Sequence, residues 1–200
     1  MRSHTILVTP PTYLPVSVSE VKTTGRIQQN VTDADIDDWI RALTEVAQHK
    51  IRRRLLNAGM RTYFDHFPWC GQLDASPALV LPWGPLVSVA AVKYLDSNGA
   101  EQTLDTATYW VDVASLLGRV VLAPSRSWPT TQYRERAVWV DYTAGYGATP
   151  SAVPRPVRRW IIARALSHDS ARETLSDRQI IELPYDYVDG LLDQYIVQVL

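Results

Sequence analysis

The spacing of apolar positions changes character twice along the chain. From Ile36 to Leu55, apolar residues recur at Ile36, Trp39, Ile40, Leu43, Val46, Ala47, Ile51 and Leu55. That is the period of a helix with one buried face. Thr32 or Asp33 can cap its start, and Asn57 and Gly59 supply a stop. Upstream, the pattern predicts a shorter helix from Ser17 to about Gln29, with Ser17 as cap, Glu20 three residues on, and Val16 and Val21 placed as a hydrophobic staple. Gly25 weakens it by up to ~1 kcal/mol relative to alanine. From Arg61 to Thr143 the helical period disappears. RTYFDHF, ALVL, LVSVAAVKYL, EQTL, YWVDV, GRVVLA and AVWVDYT are short, β-branched or aromatic, and bounded by turn residues. Asn98-Gly99 within DSNGAE suits the positive-φ positions of a hairpin turn. The prolines of LPWGPL mark a strand exit or edge.

After Pro156 a helical face returns at Val157, Trp160, Ile161, Ala165 and Leu166. The polar run SHDSARETLSDRQ is expected to end that helix in a loop. A last helix is expected from Asp186 to Val199, with Val188, Leu191, Leu192, Tyr195, Ile196 and Val199 on one side. The fold class that follows is α+β: a small body of about four helices carrying an inserted antiparallel β lobe of about six or seven short strands. The expected parts are 1–60 and 148–200 for the helical body and 61–147 for the inserted lobe.

Composition narrows the function. The chain has 200 residues, 46% hydrophobic and 20% charged, with a formal net charge of −1. That suffices for one globular domain with a real core. It excludes a general polyanion coat, which needs a strong basic excess. Cys70 is the only cysteine, so no internal disulfide can form, and a reducing compartment is the simplest origin. The N-terminus has no apolar run of signal-peptide length, and no segment approaches the ~20 apolar residues of a membrane span. Seven Trp and ten Tyr suit either interfaces or a β-rich core.

Motifs for chemistry fail on inspection. Strand, Gly145, Gly147, then helix is the layout of a phosphate loop, but no lysine follows, and Pro150, Pro154 and Pro156 each remove an N–H donor. The two glycines read as a strand-to-helix turn. Trp69-Cys70-Gly71 echoes a thioredoxin motif whose second cysteine is replaced at Leu73. Ser167, His168, Asp169 and Ser170 are adjacent in sequence, which is not triad geometry. His4, His49, His66 and His168 lack metal-ligand spacing. Asp33, Asp35, Asp37 and Asp38 lack the glycine and downstream glutamate of a calcium loop, and read as helix N-terminal acids. No catalytic, cofactor or metal site is expected. Two basic clusters remain, Lys50 with Arg52, Arg53 and Arg54, and Arg158 with Arg159. They suit DNA phosphates, an acidic partner, or simply solvated helix faces.

In order along most of the chain, the segments VTPPTYLPVSVSEVK, DADIDDWIRALTEVAQHKI, LVLPWGPLVSVAAVKYLDSNGAEQTL, GRVVLAPSRSWP and VWVDYTAGYGATPSAVPRPVRRWI resemble the head–tail connector (adaptor) proteins of tailed bacteriophages, in the version with a β insertion between helices. Tyr-Thr-Ala-Gly-Tyr-Gly followed by Val-Pro and a helix is the most specific piece. The end of the second helix, KIRRRLLNAG, is more basic than that family's pattern, and SHDSARETLSDRQIIELP follows none of it.

The resemblance implies a non-enzymatic virion component made in the host bacterial cytoplasm and placed at the head–tail interface. It implies copies in a ring, expected to be twelvefold, on the portal protein, a DNA channel passing double-stranded DNA without sequence specificity, a platform for the next tail protein, and no membrane. A ring subunit needs two different faces. The apolar face of the last helix either packs on its own body or docks into the portal as a helix in a groove. Gly145 and Gly147 then return the chain from lobe to body. Two rivals are a carbohydrate- or receptor-binding β module of a tail, displaying Trp69, Trp83, Trp110 and Trp128, and a small hydrolase using His168 or His66.

Overall fold

A computed structural model describes residues 3–26, 31–68, 78–173 and 185–197. The chain divides into two compact units, Met1–Pro11 with Asn57–Gly145, and Thr12–Leu56 with Tyr146–Leu200. The class is α+β, with, among the described residues, four helices and two antiparallel sheets of five and three strands.

The first unit holds the strands β1 (Ser3–Thr9), β2 (Ala58–Phe64), β3 (Ala78–Leu81), β4 (Leu86–Leu95), β5 (Glu101–Thr103), β6 (Tyr109–Asp112), β7 (Gly118–Leu122) and β8 (Val138–Ala144). The larger sheet runs β1-β2-β8-β4-β5 and the smaller β3-β7-β6. Every pairing is antiparallel. β2 alternates as its sequence suggests: Ala58, Met60, Thr62 and Phe64 are buried, and Gly59, Arg61 and Tyr63 are half-buried. β8, in mid-sheet, is buried at Val138, Trp139, Val140, Tyr142 and Ala144. Leu79, Leu81, Val92 and Val120 complete this core. The buried Thr62 hydroxyl is satisfied, because it donates to Tyr142 Oη at 3.2 Å and lies 2.8 Å from Thr5 Oγ1. On the half-buried face, Arg61 grips Asp141 through two bonds of 2.5 and 2.9 Å. The Asn98-Gly99 turn forms, with Gly99 at φ 83° and the Asp96 carboxylate accepting from the Asn98 and Ala100 amides.

β1 is absent from the strands that the sequence predicts, which begin at Arg61. Its apolar residues do not alternate with polar ones, and all but one of its positions are exposed. Ladder pairing to β2 makes it a strand, not a buried face of its own.

The second unit is helical: α1 (Val18–Gly25), α2 (Asp33–Ile51), α3 (Arg155–Glu173) and α4 (Tyr185–Asp193). Ser17 caps α1 by accepting the Glu20 amide at 3.2 Å, and Val16 and Val21 are both fully buried. Thr32, not Asp33, caps α2 through the Asp35 amide. α1 ends at Gly25, short of the expected Gln29, where Arg26 takes the left-handed conformation at φ 50° and donates its N–H to the Lys22 carbonyl. α2 stops at Ile51, before Leu55, Asn57 and Gly59. Arg52 adopts the left-handed conformation at φ 55° and donates its N–H to Gln48. The Gln48 side chain then accepts the Leu55 amide at 3.2 Å, so Leu55 and Leu56 reach the core from an irregular segment. α3 runs on through Ser167 to Glu173, where a loop was expected. The polar residues there lie on a helix already nucleated by the buried Val157, Trp160, Ile161, Ile162 and Ala165. α4 ends at Asp193 and closes with turns at Tyr195 and Ile196. These helices share a core built from Ile36, Ile40, Leu43, Ile51, Val157, Ile161 and Leu192.

Candidate functional site

The two basic clusters are not one uniform patch. Lys50 pairs with Asp189 of α4 at 2.9 Å. Arg53 donates its Nε–H to the Tyr195 carbonyl at 3.0 Å, and Arg54 is half-buried. Arg158 binds Glu20 of α1 and donates to the Pro15 carbonyl at 3.1 Å. Lys50, Arg53 and Arg158 therefore hold the helical unit together, whereas Arg52 and Arg159 are exposed to solvent. Sequence could not separate these roles, since the charges that do the holding face partners far away in the chain.

The terminal helix is similarly divided. Val188 and Leu192 are buried in the unit's own core, and Leu191, Tyr195 and Ile196 pack against it. Val199 lies outside the described residues. The chain continues from α4 into a backbone bond between the Val197 amide and the Ile51 carbonyl, 3.2 Å.

Asp189 is a structural centre that no sequence motif marks. It accepts Trp160 Nε1–H at 2.8 Å and Arg164 Nη2–H at 2.7 Å, besides Lys50. Burial pushes its carboxyl up, but the hydrogen bonds from Arg164, Trp160 and Lys50 outweigh this and hold it well below the usual carboxylate range. The readable trace was Trp160 and Arg164 four residues apart on one helix face.

Gly145 follows β8, and Gly147 precedes the short turn that leads to α3. Gly145, at φ 150°, takes a conformation that favours glycine, and its amide bonds the Pro85 carbonyl at 2.9 Å. The Tyr146 amide bonds the Leu55 carbonyl at 3.4 Å. Those donors are engaged by the chain itself. At Gly147 a side chain would collide with the Ala152 methyl in the short 3-10 turn Pro150–Ala152, which precedes α3.

The remaining motifs resolve individually. Trp69 and Cys70 lie outside the described residues. His66 Nδ1 is 2.7 Å from the Phe67 carbonyl, and His168 stacks on Trp39 at 5.9 Å. Asp33 pairs with Lys22, Asp35 with the Thr32 cap, and Asp37 with Arg41. Among the described residues no group of three or more His, Cys, Asp or Glu could hold a metal, and no helix is long and apolar enough to cross a membrane. Of the tryptophans proposed as a display, Trp128 stacks on Phe67 at 4.7 Å and Trp83 is half-buried against the β core. Trp110 is 61% exposed.

No protein-family model matches the chain, and no curated protein matches it. Solved structures do. A chain in the neck of an empty gene transfer agent (GTA) particle, computed with C6 symmetry, matches with TM-score 0.73 and 22% identity, covering 100% of this chain and 98% of that one. A chain of the virion of the native particle matches with TM-score 0.74 and 21% identity, covering 98% and 97%. A chain in the neck of the native particle, computed with C12 symmetry, matches with TM-score 0.69 and 22% identity, covering 100% and 98%. From end to end, this chain has the fold of proteins built into gene transfer agent particles.

Proposed function

We propose that this chain is a structural protein of a phage-like virion, placed in the neck between head and tail. The observation that carries the reading is the end-to-end match in fold to chains from gene transfer agent necks, both units included. In this role copies assemble as a ring on the portal protein, extend the channel through which double-stranded DNA passes, and offer a platform to the next tail protein. The ring is expected to be twelvefold, in keeping with the C12 symmetry of one of those necks. The protein carries no catalytic step. It would be made in the host bacterial cytoplasm and act in the finished particle.

The charge distribution suits a channel. With a formal net charge of −1, the protein does not trap DNA as a basic lumen would. Arg52 and Arg159 are the cations best placed to touch passing phosphates, because Lys50, Arg53 and Arg158 are committed within the helical unit. Portal docking would use the exposed margin of α4 and the residues beyond it, since Val188 and Leu192 already serve the chain's own core.

The test is electron microscopy of the protein mixed with the portal encoded beside it. A symmetric additional ring on the narrow end of the portal is the expected result. A monomer that leaves the portal unchanged would overturn the reading.

A further inference from the structure

The larger sheet of the β unit ends in two open margins of matching chemistry. At one end, among the described residues, β1 pairs only with β2. Its sequence, SHTILVT, holds no Lys, Arg, Asp or Glu, and Ile6, Leu7 and Val8 are all exposed, Val8 by 53%. Charges, prolines and covering loops are the usual protections of an edge strand, and β1 has none of them within its length. At the other end, β5 covers only Lys93–Leu95 of β4. Among the described residues, no strand pairs with Val87–Ala91 on the side away from β8. That stretch, VSVAA, is also uncharged, and Val87 is 46% exposed.

The strand directions are compatible. Alternation along β1-β2-β8-β4 leaves β1 and β4 running in opposite senses. A β1 laid against the open part of β4 would therefore continue the sheet as another antiparallel pair. Pairing of β1 with itself would be isologous and close as a dimer, whereas β1 on β4 is heterologous and can close as a ring. Two bulges in β4, between Leu86 and Ser88 and between Val89 and Ala91, add the local twist that a curving sheet requires.

We propose that β1 of one copy adds to the Val87–Ala91 margin of β4 in the next copy, so that the ring is joined by a sheet continuing from subunit to subunit. Main-chain hydrogen bonds hold the joint, and Ile6, Leu7, Val8 and Val87 lose their exposure there. The inference rests on the ring reading of the preceding section.

The experiment is cross-linking with a short bismaleimide in the full chain carrying Cys70→Ser, Leu7→Cys and Val89→Cys, two positions that the ladder Leu7-Met60-Tyr142-Val89 puts on one face of the sheet, assembled with the portal. Within one chain the two sites are three strand spacings apart, about 14 Å, too far for such a linker. A ladder of dimers, trimers and higher species from the double variant, with Leu7→Cys alone remaining monomeric on the gel, supports the proposal. Dimers from Leu7→Cys alone overturn it in favour of β1 self-pairing. Rings visible by electron microscopy without a ladder overturn it while leaving the neck reading intact. A protein that stays monomeric with the portal overturns both. Independently, Leu7→Lys should raise the concentration needed for ring formation at least tenfold while the monomer's unfolding midpoint stays unchanged. Unimpaired rings from that variant would also overturn the proposal.

Discussion

Arg158 on α3 holds Glu20 on α1 from a single nitrogen, with Nη2 at 2.8 Å from one carboxylate oxygen and 2.6 Å from the other. Its Nε donates to the Pro15 carbonyl just before the Ser17 cap. One side chain thus ties down both the entry to α1 and its first turn. The pair is partly exposed, so replacement of Arg158 by alanine should cost about 1–2 kcal/mol, less than a fully buried pair would. Urea unfolding followed by circular dichroism would measure it. An unchanged midpoint would mean that the pair is solvent-screened and idle.

Asp189 should make the helical unit sensitive to acid. Its pKa in the folded chain lies below the ordinary carboxylate value, so its contribution is fully present above about pH 4 and is lost as the pH falls through that value and below. In Asp189→Asn, stability at pH 7 should fall by about 2 kcal/mol, because Arg164 and Lys50 lose their counter-charge. The same variant should lose less stability between pH 5 and pH 2 than the parent. Thermal unfolding over that range separates the two proteins, and parallel curves would remove Asp189 from the account.

Gly147→Ala should destabilise by about 1–2 kcal/mol, since the new methyl collides with that of Ala152. Ala152→Gly in the same chain should recover part of that loss. A double-mutant cycle measures the coupling, and additive effects would place the cost elsewhere.

Charge reversal at Arg52 and Arg159 should leave stability within about 0.5 kcal/mol, as expected for exposed side chains. If the two touch passing DNA, the slope of log K against log salt for duplex DNA should fall by about 2 in the double variant. An unchanged slope would remove both residues from the channel lining.

Local pattern was enough for much of the architecture. The Ser17 cap, the buried face of α2, the Asn98-Gly99 turn and the extents of ALVL and LVSVAAVKYL all follow from neighbours within a few residues, which is the range over which caps, periodicity and turns operate. The α+β class follows from those elements together. What pairing over distance decides was not legible. β1 carries no alternation and exists through its ladder to β2, more than fifty residues on. The stop of α2 at Arg52 depends on Gln48 reaching Leu55 and on Val197 reaching Ile51. The cations Lys50 and Arg158 look like surface charge until Asp189 and Glu20 are brought to them from other helices. Sequence alone determined most of the helices and strands, β1 and the second half of α3 excepted, and which residues are apolar. Tertiary structure decided which charges are internal ties and which sheet margins stay open, because both depend on groups that meet only when distant segments pack.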